Sequence, residues 1–378
     1  MLAADITGVM DLRNPPGVPS EGGVGGTPLY SVAGAQSRPS AAGSVQSAGR
    51  RSFQGILQHS GVPQLEHPHI LGGVVSVTWA AIEPANGIFR WEPIEDALRN
   101  WSYYGKRAAI EVLLSETPKV PAVSESWERA ITGLAAKTAP TANPALPPWL
   151  VSLGLPQAES APGTVRPHQY WNPVFLSALQ RMVNQLGTRF DGRPEVMWVY
   201  AAVGCDGRTA LEDTTPCQTA GNGPSRAMLW RTIGYSGERW LETVCTILTY
   251  YRAAFEVTPT VAKIVHPYLP ESGSPALGVE VHEPSQAVSD LLAFVTSQRM
   301  WVEYDCRSTD SPPLEPEWRN ATMIVNPRKS AAMQGRPLMA DLHREVAMGA
   351  SYALVHATDL SNPRNQSALE WAASGAAY

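Results

Sequence analysis

The chain is poor in charge and poor in cysteine. Asp, Glu, Lys and Arg make up 17% of its 378 residues, against about 25% in ordinary soluble domains. The net charge is −5 and no basic stripe is visible, so the electrostatic footprint of a nucleic-acid binder is missing and no such partner is expected. No run approaches the roughly 18–20 apolar residues of a membrane span. The start, Met1-Leu-Ala-Ala-Asp5, lacks the charged and apolar regions of a signal peptide. Four cysteines are present, Cys205, Cys217, Cys245 and Cys306, without the C-x2-C spacing of a zinc site. Cys205 and Cys217 flank a short polar loop and suit either a disulfide or two small thiols. His67-Pro-His69 has no third ligand nearby, and Gly22-Gly-Val-Gly-Gly26 has no strand before it and no helix after it. Neither a metal nor a cofactor is therefore expected. Low charge fits a secreted or cell-surface protein, and equally a surface covered by further subunits.

What is present divides the chain in two. Residues 1–50 are about half Gly, Pro, Ser and Ala and show neither the period of 2 nor that of 3.6. Such a segment buries too little to offset its chain entropy, and is expected to be an extended arm that mediates contacts between copies. Residues 51–378 alternate strand-like and helix-like stretches. Strands are expected at Phe53–Gln58, Gly73–Trp79, Arg107–Leu114, Val196–Val203, Val261–Val265, Met300–Tyr304, Pro337–Ala340 and Ala350–His356. The stretches at 93–104, 173–189, 238–255, 285–297 and 343–348 read as helices. Pro93 and Pro173 stand in first turns, where the missing N–H costs nothing. Repeated βα units imply parallel pairing with right-handed crossovers, and eight of them suit closure into a (β/α)8 TIM barrel, an α/β fold.

The motifs then narrow the reading. Gly72–Pro84, Gly87-Ile-Phe-Arg-Trp91, Ile94-Glu-Asp-Ala-Leu98 and Gly105-Lys106 are followed by Pro147-Pro-Trp-Leu150, Tyr170-Trp-Asn-Pro173 and Arg189-Phe-Asp-Gly-Arg-Pro194. Over roughly residues 66–373 this pattern resembles glycoside-hydrolase barrels related to the family-42 β-galactosidases. The resemblance implies an acid/base carboxylate after the fourth strand and a nucleophile after the seventh, both at the C-terminal mouth of the barrel. This sequence departs at both places. Gly204-Cys-Asp-Gly-Arg-Thr209 carries Arg208 where relatives have glutamate, and Pro337-Leu-Met-Ala-Asp341 ends in aspartate. An arginine cannot donate a proton at neutral pH.

Asp206 and Asp341 are accordingly the candidate catalytic pair, or else rim carboxylates paired with Arg208 or the backbone. Alternation sets Glu303 and Asp305 on one side of the sixth strand, where they suit sugar hydroxyls or the replacement of a lost catalytic group. Trp79, Trp149, Trp171 and Trp301 are read as mouth aromatics able to stack on sugar rings. Glu83 reads as a carboxylate that stabilises a loop, and Glu111 as a group hydrogen-bonded inside the barrel. Two functions follow. One is hydrolysis of a glycosidic bond by a carboxylate pair. The other is a barrel without catalysis that binds carbohydrate or assembles with itself through residues 1–50.

Overall fold

The fold is seen in a computed structural model that describes residues 53–114, 145–155, 169–204, 233–264, 286–305, 321–326, 331, 335 and 337–375. The proposed arm, Asp206, Arg208, Cys205, Cys217 and Cys306 lie outside the described residues.

Eight parallel strands close on themselves in chain order. They are β1 (Gly55–Ser60), β2 (Gly72–Thr78), β3 (Arg107–Leu113), β4 (Val196–Tyr200), β5 (Thr260–Ile264), β6 (Trp301–Asp305), β7 (Met323–Asn326) and β8 (Tyr352–His356). The described helices are α1 (Trp79–Ile82), α2 (Glu92–Tyr103), α3 (Pro148–Ser152), α4 (Pro173–Phe190), α5 (Gly237–Ala254), α6 (Gln286–Ser297), α7 (Leu338–Ala347), α8 (Ala357–Leu360) and α9 (Gln366–Ala373). Among the described residues no helix is long and apolar enough to cross a membrane.

One strand is not where the sequence suggests. Pro337–Ala340 is not a strand: Pro337 caps α7, and Leu338, Asp341, Leu342 and Glu345 form its buried face. The seventh strand is the four-residue Met323–Asn326, buried throughout. A short apolar run cannot be told from a buried helical turn by period alone. Here the spacing Leu338, Asp341, Leu342, Glu345 is the helical period, and a proline before the first turn starts a helix.

Alternation along the strands sorts two cores. One side packs Ile56, Ala108, Ile110, Val112, Val199, Ala262 and Val302 against the helices. The other side fills the barrel with Leu57, Ala109, Trp198, Tyr200, Val261, Ile324 and Leu354, joined by Val74, Trp301 and Tyr352. Trp198 is central at the N-terminal end: its ring lies 5.8 Å from Trp301 and 5.2 Å from Tyr352, which themselves stack at 5.8 Å. These rings pack together at that end of the barrel.

Helix α4 shows how closely the outer layer fits. Asn172 caps it, its side chain accepting from the Val174 amide at 2.9 Å, and Pro173 follows in the first turn. Phe175, Leu179, Met182, Val183 and Leu186 turn inward. Gly187 continues that face because α5 ends against it: a Cβ there would stand 2.2 Å from the Ala254 carbonyl oxygen. Alanine normally gains about 1 kcal/mol over glycine inside a helix. At Gly187 the gain is expected to be overturned, with Gly187→Ala losing about 1–3 kcal/mol through overpacking against backbone. Urea unfolding of the two proteins measures the sign directly.

Candidate functional site

The first lumen layer is apolar and the next one, toward the strand C-termini, is polar. Two residues beyond Val74, Ala109, Val261, Trp301, Ile324 and Leu354 come Ser76, Glu111, Lys263, Glu303, Asn326 and His356. Six strands supply one side chain each, so residues distant in sequence meet at one level of the barrel.

The β2–β5 half of this layer is saturated. Ser76 Oγ donates to Glu111 Oε2 at 2.7 Å. The Lys263 ammonium donates to Glu111 Oε1 and lies 4.5 Å from the centre of the Tyr200 ring. Glu111 and Lys263 are both buried. Burial alone would raise the Glu111 carboxyl, but the charge and hydrogen bond of Lys263, the nearby His59 and the Ser76 hydroxyl more than reverse it, and its pKa is lowered. Glu111 is thus a structural anion inside the barrel.

The β6–β1 half holds acceptors that are not paired among the described residues. Glu303 Oε1 accepts from Asn326 Nδ2 at 2.9 Å, and Asn326 Nδ2 also lies 3.3 Å from His59 Nε2. Glu303 is 2% exposed, yet its Oε2 has no hydrogen-bond partner among the described residues. The Tyr200 hydroxyl is the neighbouring donor: burial, then the charge of Glu303 and hydrogen bonding to it, then Glu111, push that hydroxyl well above its usual range. On the far side, His356 Nδ1 is 2.7 Å from Ser60 Oγ, and its Nε2 is buried without a hydrogen-bond partner among the described residues. The rings of His59 and His356 meet edge-on at 5.9 Å.

A bulge builds this corner. Gln58 pairs with Val355 and Ser60 with His356, which leaves His59 as an extra residue in β1. The inserted residue lets both His59 and Ser60 reach His356. Bulges of this kind are frequent at barrel rims and beside active sites. Buried Gln58 fixes the turn that follows: its Nε2 donates to the Ser60 and Val62 carbonyls at 3.1 and 2.8 Å, and its Oε1 accepts from the Gln64 amide at 2.8 Å. Gln64 Nε2 then donates to the Ala357 carbonyl at 2.9 Å, tying the β1 and β8 ends together.

The sequence candidates fare differently. Glu303 lies in the lumen layer. Asp305 is the last residue of β6, in register with Asn326. Asp341 does not follow a strand directly. It lies in the first turn of α7, buried, with Arg344 at 3.5 Å. Trp301 opens β6 and belongs to the aromatic cluster at the N-terminal end, away from the mouth, because the residue starts its strand instead of ending it. Trp79 is 0% exposed; its Nε1 donates to Glu83 Oε2 at 2.7 Å, so it has no face for a ligand. Trp149 is half-buried, donates to the Glu83 carbonyl at 2.9 Å and carries the Arg181 guanidinium 5.3 Å from its ring centre. Glu83 also accepts from Arg181 and the Gly87 amide and is the loop-stabilising carboxylate its context suggests. Trp171 sits beside Tyr235 and lines a surface cavity of about 370 Å³ between α4 and α5, outside the barrel. Among the described residues no group of three or more His, Cys, Asp or Glu is placed to hold a metal. The histidines and Asn326 went unnoticed in the sequence; the signal was their place two residues beyond an apolar strand residue.

No family model and no curated protein matches the chain. Among solved structures it is similar to the catalytic domain of the beta-amylase from Paenibacillus polymyxa, with a TM-score of 0.57 and 12% identity, over 87% of this chain and 99% of that one. The likeness is one of fold, and the chain itself closes into a (β/α)8 barrel.

Proposed function

We propose that this barrel is carbohydrate-active, takes its ligand at the C-terminal mouth and acts on a glycosidic bond through Glu303. The observation that carries the reading is the buried Glu303 oxygen without a hydrogen-bond partner among the described residues, at the end of the lumen where barrel enzymes work. A buried acceptor left unpaired costs about 1–3 kcal/mol, and a sugar hydroxyl is a donor of the right kind. Glycoside hydrolysis uses two carboxyl groups. Asp206, two residues beyond Gly204 in the sequence, is the partner we propose. Asp341, in the first turn of α7 with Arg344 at 3.5 Å, is the weaker candidate because it does not end a strand.

A second reading has its own support. Glu111 is neutralised by Lys263, and Arg208 stands where the resemblance expects glutamate. A barrel that binds carbohydrate without cutting it, with residues 1–50 joining copies, needs no second carboxylate.

Glu303→Gln separates these. Gln keeps the shape and the bond from Asn326 but loses the charge. With chromogenic glycosides, kcat/KM is expected to fall at least about a hundredfold while the melting temperature stays near that of the parent. Unchanged turnover removes Glu303 from the chemistry. Absent turnover in the parent, with sugar binding that Glu303→Gln weakens, selects the second reading.

A further inference from the structure

We propose that Glu303 Oε2 and His356 Nε2 form a pair of hydrogen-bond acceptors that selects a neutral, hydroxyl-rich ligand and rejects its anionic counterpart. This rests on the carbohydrate reading above and names the residue that sets specificity within it.

The case begins with the tautomer of His356. Its Nδ1 faces Ser60 Oγ at 2.7 Å, while its Nε2 is buried without a hydrogen-bond partner among the described residues. With the proton on Nε2, an N–H donor would be buried and orphaned. With the proton on Nδ1, that N–H donates to Ser60 and Nε2 keeps only a lone pair. Orphaned donors are rarer in proteins than under-satisfied acceptors, so the second tautomer is favoured. Nε2 is then an acceptor, like Glu303 Oε2.

Both atoms belong to the same half of the lumen layer, connected through Asn326 and His59. Lys263, the cation of that layer, is bonded to Glu111 across the barrel. Two acceptors ask for two donors, which a sugar diol supplies. A carboxylate or phosphate brings a negative charge beside Glu303, where the Tyr200 hydroxyl is the nearby donor and no cation of the layer is free of Glu111. The β1 bulge sets both His59 and Ser60 against His356.

Protonation ends the function of Nε2 as an acceptor. The groups facing His356 are Ser60 and His59 from β1 and Asp359 from α8. Burial lowers its pKa, which Asp359 partly opposes. His356 is therefore neutral at and above neutral pH, and the acceptor pair is lost as the pH falls through the lowered value.

Two measurements on the full chain decide it. The first needs no ligand: long-range ¹H–¹⁵N NMR of the His356 ring at pH 7.5 is expected to show the proton on Nδ1. A proton on Nε2 overturns the proposal. The second titrates a panel of methyl gluco-, galacto-, manno- and xylopyranosides, with glucuronate and galacturonate as the anionic arm. Any neutral sugar that binds is expected to lose about tenfold affinity in His356→Gln and in protonated parent, and to bind at least about tenfold better than the uronates, each factor corresponding to about 1.4 kcal/mol. Equal binding to His356→Gln, or preference for a uronate, overturns the selection while leaving the carbohydrate reading intact. If no sugar of the panel binds, the carbohydrate reading and the selection built on it fall together, and the NMR result then bears on the tautomer alone.

Discussion

Lys263→Met is expected to destabilise the protein by about 3–5 kcal/mol at pH 7, the usual cost of breaking a buried ion pair from one side. Lys263 and Glu111 are both buried, and the lysine is Glu111's cationic partner. Removing it leaves a carboxylate in the barrel with the Ser76 hydroxyl as its remaining close partner. The signature is in the pH dependence. In the parent the Glu111 pKa is lowered, so its stabilising contribution is present above the ordinary carboxylate range and is lost as pH falls through the lowered value. In Lys263→Met the largest opposing influence is gone and only His59 and the Ser76 hydroxyl still counter burial, so that pKa is expected to rise and Glu111 can escape its penalty by taking a proton. The loss relative to the parent should therefore shrink between pH 7 and pH 4. The double variant Lys263→Met, Glu111→Leu should recover most of the stability, because a buried pair is often replaceable by apolar groups of similar volume. Denaturant unfolding at the two pH values tests all of this. A single-variant loss below about 1 kcal/mol would mean that water reaches Glu111.

Trp198→Ala is expected to cost about 3–5 kcal/mol as well, by a different route. Trp198 is 0% exposed and touches the rings of Tyr200, Trp301 and Tyr352 from inside the barrel. Its removal leaves a cavity whose walls are hydrogen-bonded strands, which cannot collapse inward as a loop could, so the cavity contribution adds to the lost transfer free energy. Trp171→Ala is the control. That residue is half-buried on the outer surface, and its loss should be far smaller. Comparable losses at both positions would show that the lumen packing is not what holds the barrel.

The fold was largely legible because a parallel strand buried on both faces reads as an apolar run, as Val196-Met-Trp-Val-Tyr200 does. The seventh strand was not, because Met323–Asn326 is four residues long while Pro337–Ala340 offers an equally apolar run. That error moved Asp341 to a strand end, where it resembled a nucleophile. The site was legible one residue at a time. Glu303 stands on the lumen side of its strand, but the groups that give it meaning, Asn326, His59 and His356, come from three other strands, and no spacing along the chain announces that meeting. The tryptophans misled for a related reason: alternation states which face a ring occupies and leaves open which end of the barrel it guards. Trp301 belongs to the N-terminal end.

That end bears on what the barrel can engage. Trp198, Trp301 and Tyr352 pack against one another below the polar layer. On the carbohydrate reading proposed above, a ligand that reaches Glu303 arrives from, and leaves toward, the strand C-termini.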